Sequence, residues 1–269
     1  VSTIVGRVEA DALDNIKTKR PDNMDSYDLV LQGLEYAKKG NVMKENTQKA
    51  VELFEKAIEL EPSYARAHAW RACTLSNLAD WEESPDPKIF ENAIESAKLA
   101  LELDSNEPEV HRIMGALKLW FERDHEMARY HFEKARELCP SDVFIISRYA
   151  IMLIYFGEFD KALEELERAK RLDPFSHDLL FGPEAICHYW LNNPKDALQT
   201  FKKVKVKKNY LFYIALAHKK SGDNDKASEN LKEAYALTGM DNDSFVGSQP
   251  FKDQEFILKL KSELGNITG

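Results

Sequence analysis

The residues of this chain that could take part in chemistry are a few histidines and paired carboxylates. His111, His125 and His131 are close in sequence, but His125 and His131 are six residues apart. That spacing does not put two side chains on one face of a helix, so a metal site there is not favoured. Glu82 and Glu83 are adjacent in a polar stretch and are interpreted as solvated side chains. These residues predict neither a metal centre nor an acid–base pair.

The three cysteines, Cys73, Cys139 and Cys187, form no C-x-x-C pair, which argues against a zinc or redox motif. Because they fall in helical patterns, we interpret them as reduced core thiols and predict a cytoplasmic location. The sequence also contains no phosphate-binding loop, zinc-protease motif or nucleophile elbow. We therefore predict no enzymatic activity and no cofactor. The weaker alternative is a hydrolase or transferase with a scattered active site.

The charge of the chain limits its possible partners. The formal net charge is −9, so the phosphate backbone of a nucleic acid would be repelled. No apolar run approaches the ~20 residues of a membrane span. One basic run, KKVKVKK at Lys202–Lys208, stands out. We interpret it as a solvated helix end, and the alternative is a docking patch for an acidic partner.

One helical sequence pattern recurs several times in the chain. The helices that it predicts form the scaffold on which any functional residue must lie. The segments 49–62, 127–140 and 161–174 each contain alanine, a large apolar residue four later, alanine three later, and proline five later. Residues three and four apart share a helix face, and proline ends a helix. Partial copies begin at Ala93, Ala197 and Ala227. This pattern resembles the second helix of the tetratricopeptide repeat (TPR).

The repeat predicts an all-α, right-handed α-solenoid of about six TPR units with capping helices at both ends. The predicted units are 24–62, 63–106, 107–140, 141–175, 176–208 and 209–240. Tight turns are expected at 157–160 and 221–225, and long inter-helix loops at 40–48 and 79–88. Pro183 is expected to begin or kink the first helix of the fifth unit.

Three domains are predicted. Residues 1–22 form a helix or linker from an upstream domain, residues 23–240 the TPR array, and residues 241–269 a loop followed by a capping helix. The loop is expected to reach from about Gly239 to Gln249.

The opening segment of the array contains more residues in common with one group of proteins than the general TPR pattern requires. The segment "RPDNMDSYDLVLQGL" (20–34), followed by "LFEKAIELEPSYARAHA" (53–69), resembles the C-terminal TPR region of bacterial class III adenylate/guanylate cyclases and related signalling proteins. That resemblance implies that the chain is the C-terminal part of a longer bacterial signalling protein. The upstream catalytic domain is not in this sequence, so the resemblance assigns no cyclase residue.

First helices line the concave side of a TPR array, so their side chains are the candidate binding residues. The candidate groove residues are Arg66, Trp70, Asn77, Arg112, Phe144, Arg148, Ile151 and Tyr155, with Cys73 and Ala116 beside them. Arginine and aromatic side chains are favoured anchors for a bound peptide. The alternative for each residue is packing between neighbouring first helices.

The predicted function is therefore a non-catalytic module that binds a protein or peptide in the groove, or that self-associates as a homodimer. The alternative is a regulatory domain that senses a small molecule in a pocket between first helices near Trp70 and Phe144. We expect no nucleic acid and no membrane among its partners.

Overall fold

The computed structural model describes residues 23–40, 43–79, 86–174 and 179–267, and all regular structure in these ranges is helical. The α-helices are α1 (Met24–Gly40), α2 (Lys44–Leu60), α3 (Ala65–Ala79), α4 (Pro87–Leu103), α5 (Pro108–Leu117), α6 (His125–Leu138), α7 (Val143–Tyr155), α8 (Phe159–Leu172), α9 (Phe181–Trp190), α10 (Pro194–Phe201), α11 (Leu211–Lys220), α12 (Asn224–Thr238), α13 (Asn242–Ser248) and α14 (Gln254–Gly265). A π-helical turn, Lys118–Glu122, extends α5, and a 3-10 turn, Lys207–Tyr210, precedes α11. The predicted helix within residues 1–22 lies outside the described residues.

The chain divides into two compact units, Val1–Pro140 and Ser141–Gly269. In the first unit, α1 packs on α2, α3 on α4, and α5 on α6. In the second, α7 packs on α8, α9 on α10, and α11 on α12. Each hairpin falls within one predicted repeat, so the predicted all-α TPR architecture is confirmed. The boundaries of the three predicted domains stay a prediction.

Small residues of the first helix and a large residue of the second hold each hairpin together. Ala50, Phe54 and Ala57 of α2 are fully buried. A methyl group added to Gly33 of α1 would lie 2.5 Å from the Phe54 ring, so only glycine lets the two helices approach this closely. Gly115 of α5 receives the Phe132 ring of α6 in the same way, with 2.9 Å to an added methyl group.

The turns follow from glycine and aspartate. Gly157 and Gly222 have φ angles of 75° and 83°, which glycine adopts without strain, and they sit in the two predicted tight turns. Asp142 and Asp223 cap α7 and α12 by accepting hydrogen bonds from backbone N–H groups of the first turn. Helix α9 begins at Phe181, so Pro183 lies in its first turn, where proline is tolerated, and the expected helix start is confirmed.

Two loop predictions were wrong. The expected loop at 40–48 is shorter, because α2 begins at Lys44 and thereby buries Thr47 beside Ala50. The expected loop after Gly239 contains α13, which Asp241 caps through the backbone N–H of Ser244. Phe245 anchors α13 by stacking on Phe212 of α11 with 4.1 Å between ring centroids. The polar residues at the start of this segment predicted a loop, but burial of Phe245 and Val246 stabilises a helix there.

The cysteines agree with the sequence interpretation: none of the three forms a disulfide, and Cys139 and Cys187 are buried. Burial raises the pKa of the Cys187 thiol well above its ordinary value, which makes the thiol unreactive. No helix in the described ranges is both long enough and apolar enough to cross a lipid bilayer.

Candidate peptide-binding surfaces

One candidate residue of the first unit, Arg112, forms a buried ion pair. Arg112 of α5 is 3% exposed, and its Nε donates to Glu109 Oε2 at 2.5 Å. Its Cζ lies 5.0 Å from the centre of the Trp70 ring, and its Nη2 donates to Cys73 Sγ at 3.8 Å. Burial disfavours the charged guanidinium, but the Glu109 carboxylate and Cys73 hold the pKa of Arg112 above its ordinary value. Arg112 therefore holds Trp70 and Cys73 in place.

The other candidates of α3 are half-buried. Trp70 stacks on Phe54 with 6.4 Å between ring centroids, and Asn77 lies two turns further along the helix. Arg66 lines a recess together with Glu61, Tyr64, Asp104 and Glu107. Burial raises the pKa of Glu107 to about 7, although the charge of Arg66 opposes that shift. The recess is thus acidic, with one cation at its edge.

A pair of histidines locks α5 to α6. His111 Nε2 lies 2.9 Å from the Ser105 carbonyl oxygen, which can only accept, so this nitrogen carries a proton. His111 Nδ1 is then the acceptor for the Nδ1–H of His131, 3.0 Å away. Burial lowers the pKa of both side chains, and that of His131 falls to about 4. The pair is neutral at pH 7 and has a structural role.

In the second unit, four candidates form one stripe along α7. Phe144, Arg148, Ile151 and Tyr155 are spaced by four, three and four residues, which places them on one helix face. All four are half-buried. The Arg148 guanidinium lies 4.8 Å from the centre of the Phe144 ring, a cation–π distance. This set is called the α7 stripe below.

The second unit contains further aromatic and cationic side chains outside the α7 stripe. The Tyr210 ring lies directly on Gly182 of α9, where an added methyl group would overlap it. Burial raises the pKa of Tyr210, and the positive charge of Arg148 opposes that rise. Lys203 Nζ lies 5.2 Å from the centre of the Phe181 ring. The lysines of the basic run are exposed, as expected for a solvated helix end.

The C-terminal end of the α7 stripe is covered by the chain itself. The Tyr155 hydroxyl donates to Gln249 Oε1 at 3.3 Å, and the Lys252 backbone N–H donates to the Tyr155 carbonyl at 2.9 Å. The Phe251 ring packs edge-on against the Tyr155 ring with centroids 5.1 Å apart. Residues 241–267, called the C-terminal strap below, thus contact α7 as well as the last repeat.

Aromatic rings hold the middle of the strap. Phe256 packs against Trp190 and Phe159, with centroid distances of 5.1 and 5.4 Å. Trp190 also contacts Phe251 at 5.2 Å. A methyl group added to Gly157 would lie 2.6 Å from the Phe256 ring, so the turn between α7 and α8 also forms part of this seat. The result is one apolar cluster built from α7–α9 and the strap.

A charged group fixes the end of α14. Glu263 accepts a short hydrogen bond from the Tyr189 hydroxyl, and its Oε1 lies 3.4 Å from Lys220 Nζ. The Lys220 Nζ also lies 3.9 Å from the centre of the Tyr189 ring. Burial lowers the pKa of Lys220, which the charge of Glu263 partly offsets. Burial, together with the hydrogen bond to Glu263, raises the pKa of Tyr189.

The sequence reasoning found Tyr155 but missed Trp190 and Lys220, which occupy the same position of the following repeats. Each residue lies seven positions before the first alanine of its second helix: Tyr155 before Ala162, Trp190 before Ala197, and Lys220 before Ala227. Extending the register of Tyr155 to the next two repeats would have added Trp190 and Lys220 to the candidates, although not their contact with the strap. The described residues contain no cluster of three or more His, Cys, Asp and Glu side chains able to hold a metal ion.

Comparison with known proteins supports the repeat. Residues 53–84 match the family model described as tetratricopeptide repeat. No curated protein matches the chain.

Solved structures resemble the chain over most of its length. PilF of Pseudomonas aeruginosa has a TM-score of 0.53 at 20% identity, covering 88% of this chain and 98% of its own. A tetratricopeptide repeat protein from Parabacteroides merdae has a TM-score of 0.53 at 15% identity, covering 91% and 86%. A monomeric IFIT1 mutant with Gppp-AAAA has a TM-score of 0.65 at 20% identity, covering 94% of this chain and 61% of IFIT1. At these identities the likeness shows the fold alone.

Proposed function

We propose that this chain is a non-catalytic TPR module that binds an acidic protein segment on the second unit. The observation that carries the proposal is the α7 stripe, in which Phe144, Arg148 and Ile151 are half-exposed on the face of a first helix. Interfaces favour arginine and aromatic anchors of this kind, because they combine a large contact area with a directed charge. The repeat scaffold supplies the rigid helix that orients them.

The partner is proposed to be acidic because the stripe carries Arg148 and the same unit carries the basic run. Arg148 lies over the Phe144 ring of the stripe, and the lysines of the run are exposed. Lys203 of that run sits over Phe181. A local cluster of one sign attracts opposite charge even in a chain whose net charge is −9. The aromatic rings favour apolar side chains between the acidic residues of the partner.

A binding comparison with matched variants tests this proposal. Immobilised wild-type protein, Arg148→Ala and Arg171→Ala are compared for retention of proteins from a native extract. Arg171 is exposed on the second helix α8, so its variant makes the same charge change away from the stripe. We expect a partner that wild type and Arg171→Ala retain, that Arg148→Ala loses, and that added salt weakens. Equal retention by all three proteins would contradict the assignment of the stripe.

In the first unit, we propose that Arg66, Trp70 and Asn77 provide a second contact region. Arg112 serves this region by holding Trp70, because its guanidinium is buried against Glu109. Replacing Asn77, which pairs with none of these groups, with aspartate is the gentler probe. It should weaken retention of an acidic partner without changing stability.

The biological context is proposed from the opening segment alone. Its likeness to the TPR region of bacterial cyclases supports a module attached to a cytoplasmic signalling protein, and self-association into a homodimer is a further possibility of such modules. The size of the native protein on an immunoblot tests this context. A band far above 30.9 kDa with cyclase activity in the immunoprecipitate would support it, and a band at 30.9 kDa would contradict it.

A second candidate function, ligand sensing, has one observation in its favour. The recess of the first unit gathers Glu61, Asp104 and Glu107 around Tyr64 and Arg66, a lining that attracts cations. Its volume of about 10 Å³ holds one water molecule, so a metabolite could enter only if the recess widened. A thermal-shift screen with cationic metabolites tests it, because a ligand that binds only the folded state raises the melting temperature. Glu107→Gln should abolish such a shift.

A further inference from the structure

We infer that residues 249–263, the C-terminal part of the strap, are an intramolecular ligand. They occupy a second peptide-binding surface, which accepts a helical segment with two aromatic side chains and a carboxylate. The surface consists of the C-terminal ends of the three first helices of the second unit. This inference rests on the proposed function only in assigning peptide binding to the module, and it concerns a different part of the first-helix face.

The seat of the strap is defined by repeat register. Tyr155, Trp190 and Lys220 occupy the same position of three successive repeats, and the strap contacts each of them. A contact of this kind uses the regular face of the array, as a bound peptide does. A helix that only covered the end of the array would contact only the last repeat.

The strap is not part of any of the three helical hairpins of the second unit. Helices α7–α12 form three complete hairpins with one another. Helix α14 adds only two fully buried side chains, Leu260 and Leu264, and Leu258 on its outer side is 64% exposed. The three hairpins are thus complete without the strap, which packs across the ends of their first helices.

The seat is chemically suited to exposure and rebinding. Tyr155, Tyr189 and Tyr213 meet the strap through their hydroxyl groups, which water can satisfy when the strap leaves. The flanking apolar surface, including Trp190 and Phe159, provides the affinity when a segment returns. Lys220 is half-buried beneath the strap, and the Glu263 carboxylate, 3.4 Å away, favours its charged form.

The strap itself shows what a ligand in trans must carry. Phe251 and Phe256 are five residues apart, and both pack against the Trp190 ring. Glu263, seven residues after Phe256, contacts Tyr189 and Lys220. Gln249 adds one amide acceptor for the tyrosine hydroxyls. A segment with this pattern competes directly with the strap, and occupancy by the strap lowers its apparent affinity.

The test uses a fluorescent synthetic peptide of residues 248–267 and the full chain. The release variant combines Phe251→Ala with Glu263→Gln. The matched control is Lys261→Gln, because Lys261 is on α14 but pairs only with Asp243 within the strap. We expect the release variant to bind the peptide about tenfold more tightly than wild type or the control, because its seat is vacant for a larger fraction of the time. A peptide with alanine at both phenylalanine positions should not bind.

Hydrogen–deuterium exchange provides a second readout. In the release variant, residues 249–267 should lose protection while α7–α12 keep theirs. Loss of protection throughout α7–α12 would overturn the inference, since the strap would then be part of the core. Equal peptide binding by wild type and the release variant would also overturn it.

The two proposals fail separately. The peptide experiment does not involve Arg148, so it can succeed when the partner experiment on the α7 stripe fails. Conversely, a partner lost in Arg148→Ala supports the α7 stripe even when the release variant shows no gain in peptide binding.

Discussion

The two units are built from the same helical hairpins, but the side chains of their first helices make different contacts. In the first unit, Arg112, Glu109 and Trp70 form a closed internal network, and the His111–His131 pair locks α5 to α6. In the second unit, the corresponding surface is rich in tyrosine and tryptophan, and the chain's own C-terminal strap covers it. The comparison teaches that the second helices repeat one packing pattern, whereas the first helices make the surfaces of the two units different.

The largest expected effect comes from a substitution that removes the ion pair of the first unit. Arg112→Ala leaves the Glu109 carboxylate buried without its cation and removes the support of Trp70. We expect a loss of about 3–5 kcal/mol in the free energy of unfolding, measured by urea denaturation. The matched control is Arg112→Met combined with Glu109→Gln, which should recover most of the loss because no charge stays buried. A loss below about 1 kcal/mol for Arg112→Ala would refute the role of the ion pair.

The second prediction concerns acid sensitivity of the first unit. The pKa of His131 is about 4 in the folded state, and an unfolded histidine has a pKa of about 6.5. The unfolded chain therefore binds the proton at higher pH. The stability from the neutral pair is complete above pH 6.5 and is lost as the pH falls from 6.5 toward 4, by about 3 kcal/mol in total.

Urea denaturation of wild type and His131→Phe across pH 4–7.5 measures this effect. Glu107 opposes it, because its raised pKa of about 7 makes acid stabilising between pH 7 and 4.5. The difference between wild type and variant removes that contribution, since both proteins contain Glu107. Parallel pH profiles of the two proteins would show that the histidine pair does not control acid stability.

The third prediction is a glycine substitution in the second unit. In Gly182→Ala the added methyl group overlaps the Tyr210 ring, so we expect a loss of about 1–3 kcal/mol. Gly247→Ala in α13 is the control, because its methyl group meets no atom within 4 Å. The control should be stabilising by about 0.5–1 kcal/mol, since alanine favours the helix. Equal melting temperatures for the two variants would contradict the close approach of Tyr210 to α9.

The smallest expected effect tests what the units have in common. Asp124 caps α6 in the first unit and Asp142 caps α7 in the second, each through a backbone N–H of the first turn. Replacing either with alanine should cost about 1 kcal/mol by urea denaturation, because a helix cap acts locally. Asp225→Ala, which lies in the first turn of α12 but is not its cap, is the control. A large difference between the two cap variants would mean that the units differ in scaffold as well as in surface.

The second helices and the turns could be predicted because their signals are local. Alanine, a large apolar residue and alanine recur at helical spacing, and glycine and aspartate mark the turns. The α7 stripe could also be placed on one face from the spacing of Phe144, Arg148, Ile151 and Tyr155 alone. Helix α13 could not, since the polar residues 241–244 read as a loop and its stability depends on the contact of Phe245 with Phe212.

The sequence by itself determined the repeat, because the side-chain spacing that buries one helix face against its neighbour is repeated within each short segment. Only the tertiary structure decided which first-helix side chains are accessible. Arg112 and Arg148 were both candidate groove residues on first helices. Arg112 is buried in an ion pair with Glu109, whereas Arg148 is half-exposed on the α7 stripe. Tyr155 meets Gln249 from 94 positions away, and no local pattern encodes such a contact, because it depends on how the chain returns across its own surface.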